Sequence, residues 1–205
     1  MASAANDRAV KAAEHHDTDP SSLAARAGWI GRVSGILARG EAIVAGSLAA
    51  FTFLLLLLNV VTRALSVPIL WVDELAVFAM VWMAFVGASL AIHHRGHIAV
   101  TLVSDALPSR PKAWLALTVD LLLLAFILTL LVLIWRWFDP VTALFAENLE
   151  AFSLIDFNFI YQEPTVTLGV PKFWFWLILP IFCLTTIVHS LSNIAVSLGR
   201  LGGWE

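Results

Sequence analysis

Charged and imidazole side chains inside long apolar runs are where chemistry would show in this chain, because a bilayer penalises ionisable groups that do no work there. Asp120 is the clearest case. It stands in LALTVDLLLLAFILTLL, about 9 Å along a helix from Trp114 at 1.5 Å per residue. At that depth a carboxylate can pair with a cation of a neighbouring connection, reach the headgroups, or be capped by an adjacent helix. His189, Ser192 and Asn193 form a polar stripe late in another apolar run, and His93 with His94 ends a third. Two imidazoles are the ligand set of a b-type haem, and histidines in such places equally serve as hydrogen-bonding packers. An ion or proton relay needs several polar groups near mid-bilayer, whereas the runs here are otherwise nearly clean. No nucleophile with its base, no GxxxxGK phosphate loop and no HExxH metal spacing is present. The expectation is a protein that is not an enzyme, with no cofactor. A haem-binding redox protein or an ion conductor is the alternative.

A second set of candidates lies where apolar runs begin and end. Arg63 closes the first run, and Trp71, Asp73 and Glu74 open the second. A salt bridge there would lock the first hairpin, and the acids would favour the positive end of the second helix. If exposed, such a bridge contributes only about 0–1 kcal/mol. Within the second run, Gly87 and Ala88 belong to small-residue pairs at four-residue spacing, Ala84 with Ala88 and Gly87 with Ala91, which let another helix approach closely. Ala45 with Ala49 and Gly46 with Ala50 repeat the pattern in the first run.

The elements that must position these residues follow from hydropathy. Hydrophobic residues make up 60% of the 205 and charged ones 13%, against roughly 45–50% and 25% in a soluble domain. Mean hydropathy is +0.87. The expected fold is an all-α membrane protein of four transmembrane helices, at about 42–65, 69–92, 114–138 and 173–198, each long enough for a hydrocarbon core of about 30 Å. Together they form one membrane domain over 41–200. Residues 1–20 read as a polar tail. Residues 21–40, with Leu23, Ile30 and Leu37 at heptad spacing among Arg26, Arg32 and Arg39, read as a short interfacial helix. In the long loop 139–172 the stretch ALFAENLEAF reads as another. No removable secretory signal is expected, the first membrane helix serving as the insertion signal. The one cysteine, Cys183, rules out an intrachain disulfide.

Cation placement sets the orientation. Nine Lys or Arg precede the first helix, join the second to the third, or follow the fourth, against Arg63, Arg136 and Lys172 on the other side. The cation-rich side, with both termini, is expected to be cytoplasmic. Trp71, Trp135, Trp137, Trp174 and Trp176 then mark the outer boundary and Trp114 the inner one, as aromatic belts require. The net charge of −3 offers nothing to nucleic acid.

The stretch NVVTRALSVPILWVDELAVFAMVWMAFVGASLAIHHRGHIAV, continuing to DALP, resembles the small membrane subunit (DctQ type) of tripartite ATP-independent periplasmic (TRAP) transporters. The likeness is carried by Arg63, Trp71, Asp73, Glu74, Trp82, Gly87, Ala88, Arg95, Gly96, His97, Ile98 and Pro108, and by TLGVPKFWFWLILP from Thr167 to Pro180. It departs from the family at Thr101, where an acid is usual, and in its longer outer loop. The resemblance implies a multi-pass protein of the bacterial inner membrane. Its partners would be a large membrane subunit, which carries the substrate and sodium sites and moves as an elevator, and a periplasmic binding protein that delivers an organic acid. The small subunit would brace the stationary part of the large one, in contact with membrane lipid. Arg95 and His97 would cap the inner end of the second helix or touch phospholipid headgroups.

Overall fold

A computed structural model describes residues 28–94, 108–146, 148–155 and 157–201. Among them the regular elements are helices: α1 (Gly28–Ala64), α2 (Leu70–His93), α3 (Ser109–Phe138), α4 (Pro140–Phe145), α5 (Leu149–Ile155), α6 (Phe173–Trp176) and α7 (Ile178–Leu201). A single isolated antiparallel bridge joins Pro164 to Pro171. Four stretches are long and apolar enough to cross a membrane: α1, α2, α3, and α6 with α7. The chain is therefore all-α, with four apolar helices consistent with membrane spans.

The helix ends have local causes. α1 finishes in a Schellman turn: Ser66 takes the left-handed conformation at φ 59, Ser66 N donates to Arg63 O and Val67 N to Thr62 O, both at 3.0 Å. Pro68 then bars continuation. The break between α6 and α7 at Leu177 is explained by Pro180, which has no N–H to give the carbonyl four residues back.

Two boundaries differ from expectation. The segment before the first span is not a separate interfacial helix over its described part, because α1 runs unbroken from Gly28 for 37 residues. Gly31, Gly35 and Gly40 each weaken a helix by about 1 kcal/mol, but extending a helix already nucleated in the apolar run needs no new nucleus. In the long loop, the single helix expected over ALFAENLEAF is two. Asp139 caps α4 by accepting from Thr142 N at 3.3 Å, and Asn148 starts α5 afresh by accepting from Ala151 N at 2.7 Å.

The described residues fall into two compact units, lying within Met1–Gly40, Leu90–Phe126 and Thr185–Glu205, and within Glu41–Ser89 and Ile127–Leu184. In the first, α7 presents a buried polar stripe at helical spacing: His189, Asn193 and Ser197. In the second, Leu55, Val72 and Ala76 form a small core flanked by Ile69 and Leu75. There Phe78, Trp82 and Phe85 on one face of α2 meet α6 and α7. Phe78 stacks on Phe175 at 3.9 Å, Phe85 meets Phe182 edge-on at 5.2 Å, and the Trp82 indole donates to Phe175 O at 2.9 Å.

The long loop of the second unit is tied to the end of α3. Tyr161 Oη donates to Phe138 O at 2.7 Å and Asn158 Nδ2 to Trp137 O at 2.7 Å. The Tyr161 ring meets Phe152 and Phe173 at 5.4 and 4.9 Å. Burial pushes the Tyr161 phenol above its ordinary 10.0, and the Asp139 carboxylate adds to the shift. A raised pKa contributes stability fully below the unfolded value and loses it as pH rises through the folded one. Because Tyr161 is the only tyrosine, its ultraviolet titration is expected to run above pH 10 in the folded protein and to drop to about 10 on denaturation. Tyr161→Phe is expected to cost about 1 kcal/mol in denaturant titrations.

Candidate functional site

The candidates gather into two clusters, one in each unit. In the second unit, three side chains close a ring at the junction of α1 and α2. Arg63 Nη2 donates to Asp73 Oδ2 at 2.7 Å, Arg63 Nε donates to Asn59 Oδ1 at 2.8 Å, and Asn59 Nδ2 donates to Asp73 Oδ1. Asn59 sits one helical turn before Arg63, so the two share a face of α1 and hold the guanidinium in one orientation. The side chains of Arg63 and Asp73 stay 59% and 43% exposed, which limits the pair to about 0–1 kcal/mol.

Glu74 does something different from its neighbour. Its carboxylate accepts from Val166 N at 2.8 Å, Thr167 N at 2.7 Å, Leu168 N at 3.1 Å and the Thr167 hydroxyl at 2.6 Å. Three consecutive amides converging on one carboxylate form a nest, an arrangement that favours an anion. The turn that supplies them is preformed. Thr165 N donates to Val170 O and Lys172 N to Glu163 O, each at 2.8 Å, Gly169 provides the positive φ of 70, and Lys172 meets Glu163 at 2.5 Å across the base. Glu74 thus joins the start of α2 to the loop leading into α6, 92–94 residues away. Trp71, one turn from Glu74, is 41% exposed.

Of the small residues, Ala84 and Ala88 lie exposed in line with Val77 and Met80 on α2. A Cβ built on Gly87 would meet nothing within 4 Å. The α2 stripe is therefore not used for packing within the described chain.

In the first unit, Ser34 Oγ lies 2.8 Å from His93 Nδ1 and 2.7 Å from His189 Nδ1, with Ser34 and His189 fully buried. One hydroxyl has one proton, so at most one of these ring nitrogens accepts and the other carries its own hydrogen. The two imidazoles pack directly, centroids 4.9 Å apart, which leaves no gap for a porphyrin between them. That geometry does not fit the haem alternative. Asn193 Nδ2 donates to Ile92 O at 2.9 Å, and Ser197 Oγ donates to Asp120 Oδ2 at 2.7 Å. Asp120 is 7% exposed, so its carboxylate is turned into the protein rather than out to headgroups. Arg95 and His97 lie outside the described residues.

The sequence reading gave no contact role to Ser34, Asn59, Thr167 or Glu41. Glu41, only 8% exposed, accepts from Ser89 Oγ at 2.7 Å, and a lone acid opening an apolar run was its signal.

The family model for the DctQ component of tripartite ATP-independent periplasmic transporters matches residues 52–200. This chain belongs to the DctQ family. The match takes in both halves of the Glu74 clamp. The chain is 36% identical over 101 residues to the C4-dicarboxylate TRAP transporter small permease protein DctQ of Vibrio cholerae, covering 49% of this chain and 43% of that one. It is 28% identical over 155 residues to the sialic acid TRAP transporter small permease protein SiaQ of the same species, covering 75% and 79%. DctQ-family permease subunits are non-catalytic, in keeping with the helix-joining chemistry of both clusters.

Three variants tell these contacts apart. Glu74→Ala is expected to lower hydrogen-exchange protection of the Val166, Thr167 and Leu168 amides by about tenfold or more, whereas Arg63→Ala leaves those amides unchanged and costs about 0–1 kcal/mol. Ser34→Ala removes the group that both Nδ1 atoms share and is expected to destabilise the folded protein by about 1–3 kcal/mol in detergent unfolding assays.

Proposed function

We propose that this DctQ-family chain is the small permease subunit of a TRAP-type secondary transporter, bracing a large elevator subunit that takes up an organic acid with sodium. A periplasmic binding protein delivers the acid, and the complex sits in the bacterial inner membrane with both ends of this chain in the cytoplasm, as the cation count favours. The support for a bracing role is the exposed α2 face of Val77, Met80, Ala84 and Ala88. In lipid, small side chains gain nothing by facing acyl chains and a great deal by letting a second helix come close. Glu74 and Ser89 of α2 and His189, Asn193 and Ser197 of α7 are engaged with other parts of this chain, which supports bracing over lining a path for solute. C4-dicarboxylate and sialic acid, the solutes in the relatives' names, are both carboxylic acids, which supports that substrate class.

The reading is tested by co-purifying the chain with its large subunit and reconstituting both with a binding protein under a sodium gradient. Ala84→Leu and Ala88→Leu are expected to leave the small subunit itself folded while cutting recovery of the large subunit by roughly tenfold, since overpacking a helix contact costs about 1–3 kcal/mol. Uptake should fall in parallel. Solute accumulation by liposomes holding this chain alone would overturn the proposal.

A further inference from the structure

The second unit carries a half-open cleft of about 270 Å³ at the end of α3 that neither cluster uses. It lies between the last turn of α3 and the loop helices, and its lining joins two opposite charges, Arg136 and Asp139, to the aromatic faces of Trp137, Phe152 and Phe157. Arg136 and Asp139 make no ion pair with each other or with another described residue. Asp139 is held in place by its role as cap, one carboxylate oxygen accepting from Thr142 N. The wall is held by Asn158, whose amide grips Trp137 O.

Two unjoined charges of opposite sign in one small cleft match a ligand that is itself a zwitterion. A guanidinium takes phosphate oxygens through its fork of donors, and a carboxylate takes a primary ammonium through its N–H donors. The volume is at the lower edge of the roughly 300–1,000 Å³ of ligand pockets, enough for a headgroup and too little for a whole lipid. Depth agrees. Trp135 and Trp137 end the apolar run of α3, and Trp137 meets Trp176 at 5.7 Å, so the cleft stands at the aromatic belt where headgroups lie. Phe157 in the lining is 79% exposed, and Val141, Leu144 and Phe145 of α4, the helix that Asp139 caps, are 52%, 82% and 87% exposed, apolar surface for acyl chains.

We propose that this cleft binds the headgroup of an ethanolamine phospholipid, its phosphate on Arg136 and its ammonium on Asp139. An anionic glycerol headgroup would set its second, uncharged end against the carboxylate. A choline headgroup has no N–H to donate to it. The site anchors the α4–α5 loop to the membrane surface.

The test is native mass spectrometry of the full chain, released from detergent after exposure to equal amounts of phosphatidylethanolamine, phosphatidylglycerol and phosphatidylcholine. The wild type is expected to retain the ethanolamine lipid about fivefold over each of the others, as one favourable surface charge contact allows. Asp139→Asn keeps a capping side chain that tolerates the φ of 38 at this position and should erase the preference over phosphatidylglycerol. Arg136→Gln should lower retention of all three. Circular dichroism checks that each variant keeps its helix content. Equal retention of the three lipids by the wild type, or an unchanged preference in Asp139→Asn, overturns the proposal. Displacement of the lipid by millimolar glycine would overturn it too, by showing a site for free zwitterions. Because no step depends on transport, failure here leaves the bracing role standing.

Discussion

Between apolar helices in a bilayer, touching a neighbour and touching an acyl chain are nearly equivalent, so a handful of buried polar contacts must decide which helix stands beside which. α7 carries most of that decision in its unit. His189 reaches Ser34 of α1, Asn193 the last turn of α2, and Ser197 the Asp120 carboxylate of α3. These positions are four residues apart, so one face of one helix addresses all three partners. A shift of α7 by one residue would turn each of these groups away at once. The stripe thus specifies register in a medium where apolar packing alone discriminates weakly.

In the other unit the polar contacts are partly exposed, and water weakens each pair. That unit relies on convergence instead of burial. Glu74 collects four donors from one preformed turn, and the aromatic face of Phe78, Trp82 and Phe85 continues the same α2-to-α7 pairing deeper along the helix. The Trp82 indole N–H donates to Phe175 O, in the short helix just before the break at Leu177.

Much of this was legible in the residue string. The four apolar helices, the α1–α2 turn and the nearness of Arg63 to Asp73 follow from hydropathy and from a connection of only a few residues. The family likeness, read from spaced motifs, is borne out by the match over residues 52–200. What stayed hidden was long-range pairing of polar groups. Glu74 looked like a second partner for Arg63 because the two are neighbours along the chain, while its donors lie more than 90 residues on, in backbone amides that carry no residue signature. Ser34 was invisible for a related reason, since a serine among glycines and alanines has no periodicity of its own. The loop helices were misjudged as one because Asn148 tolerates a helix interior in principle yet prefers to begin one.

The length of α1 exceeds what a bilayer core requires. Thirty-seven residues make a rod of about 55 Å at 1.5 Å per residue, while a bilayer core of about 30 Å is crossed by roughly twenty. Arg32, Arg39 and Glu41 all lie in the first two fifths, so the excess sits at that end and must project past the hydrocarbon or slant steeply through it. No proline interrupts α1 between Gly28 and Ala64, so its backbone ladder has no missing donor to kink it. The surplus length carries Arg32 and Arg39 beyond what an apolar core needs, giving that end of the helix a charged extension of its own.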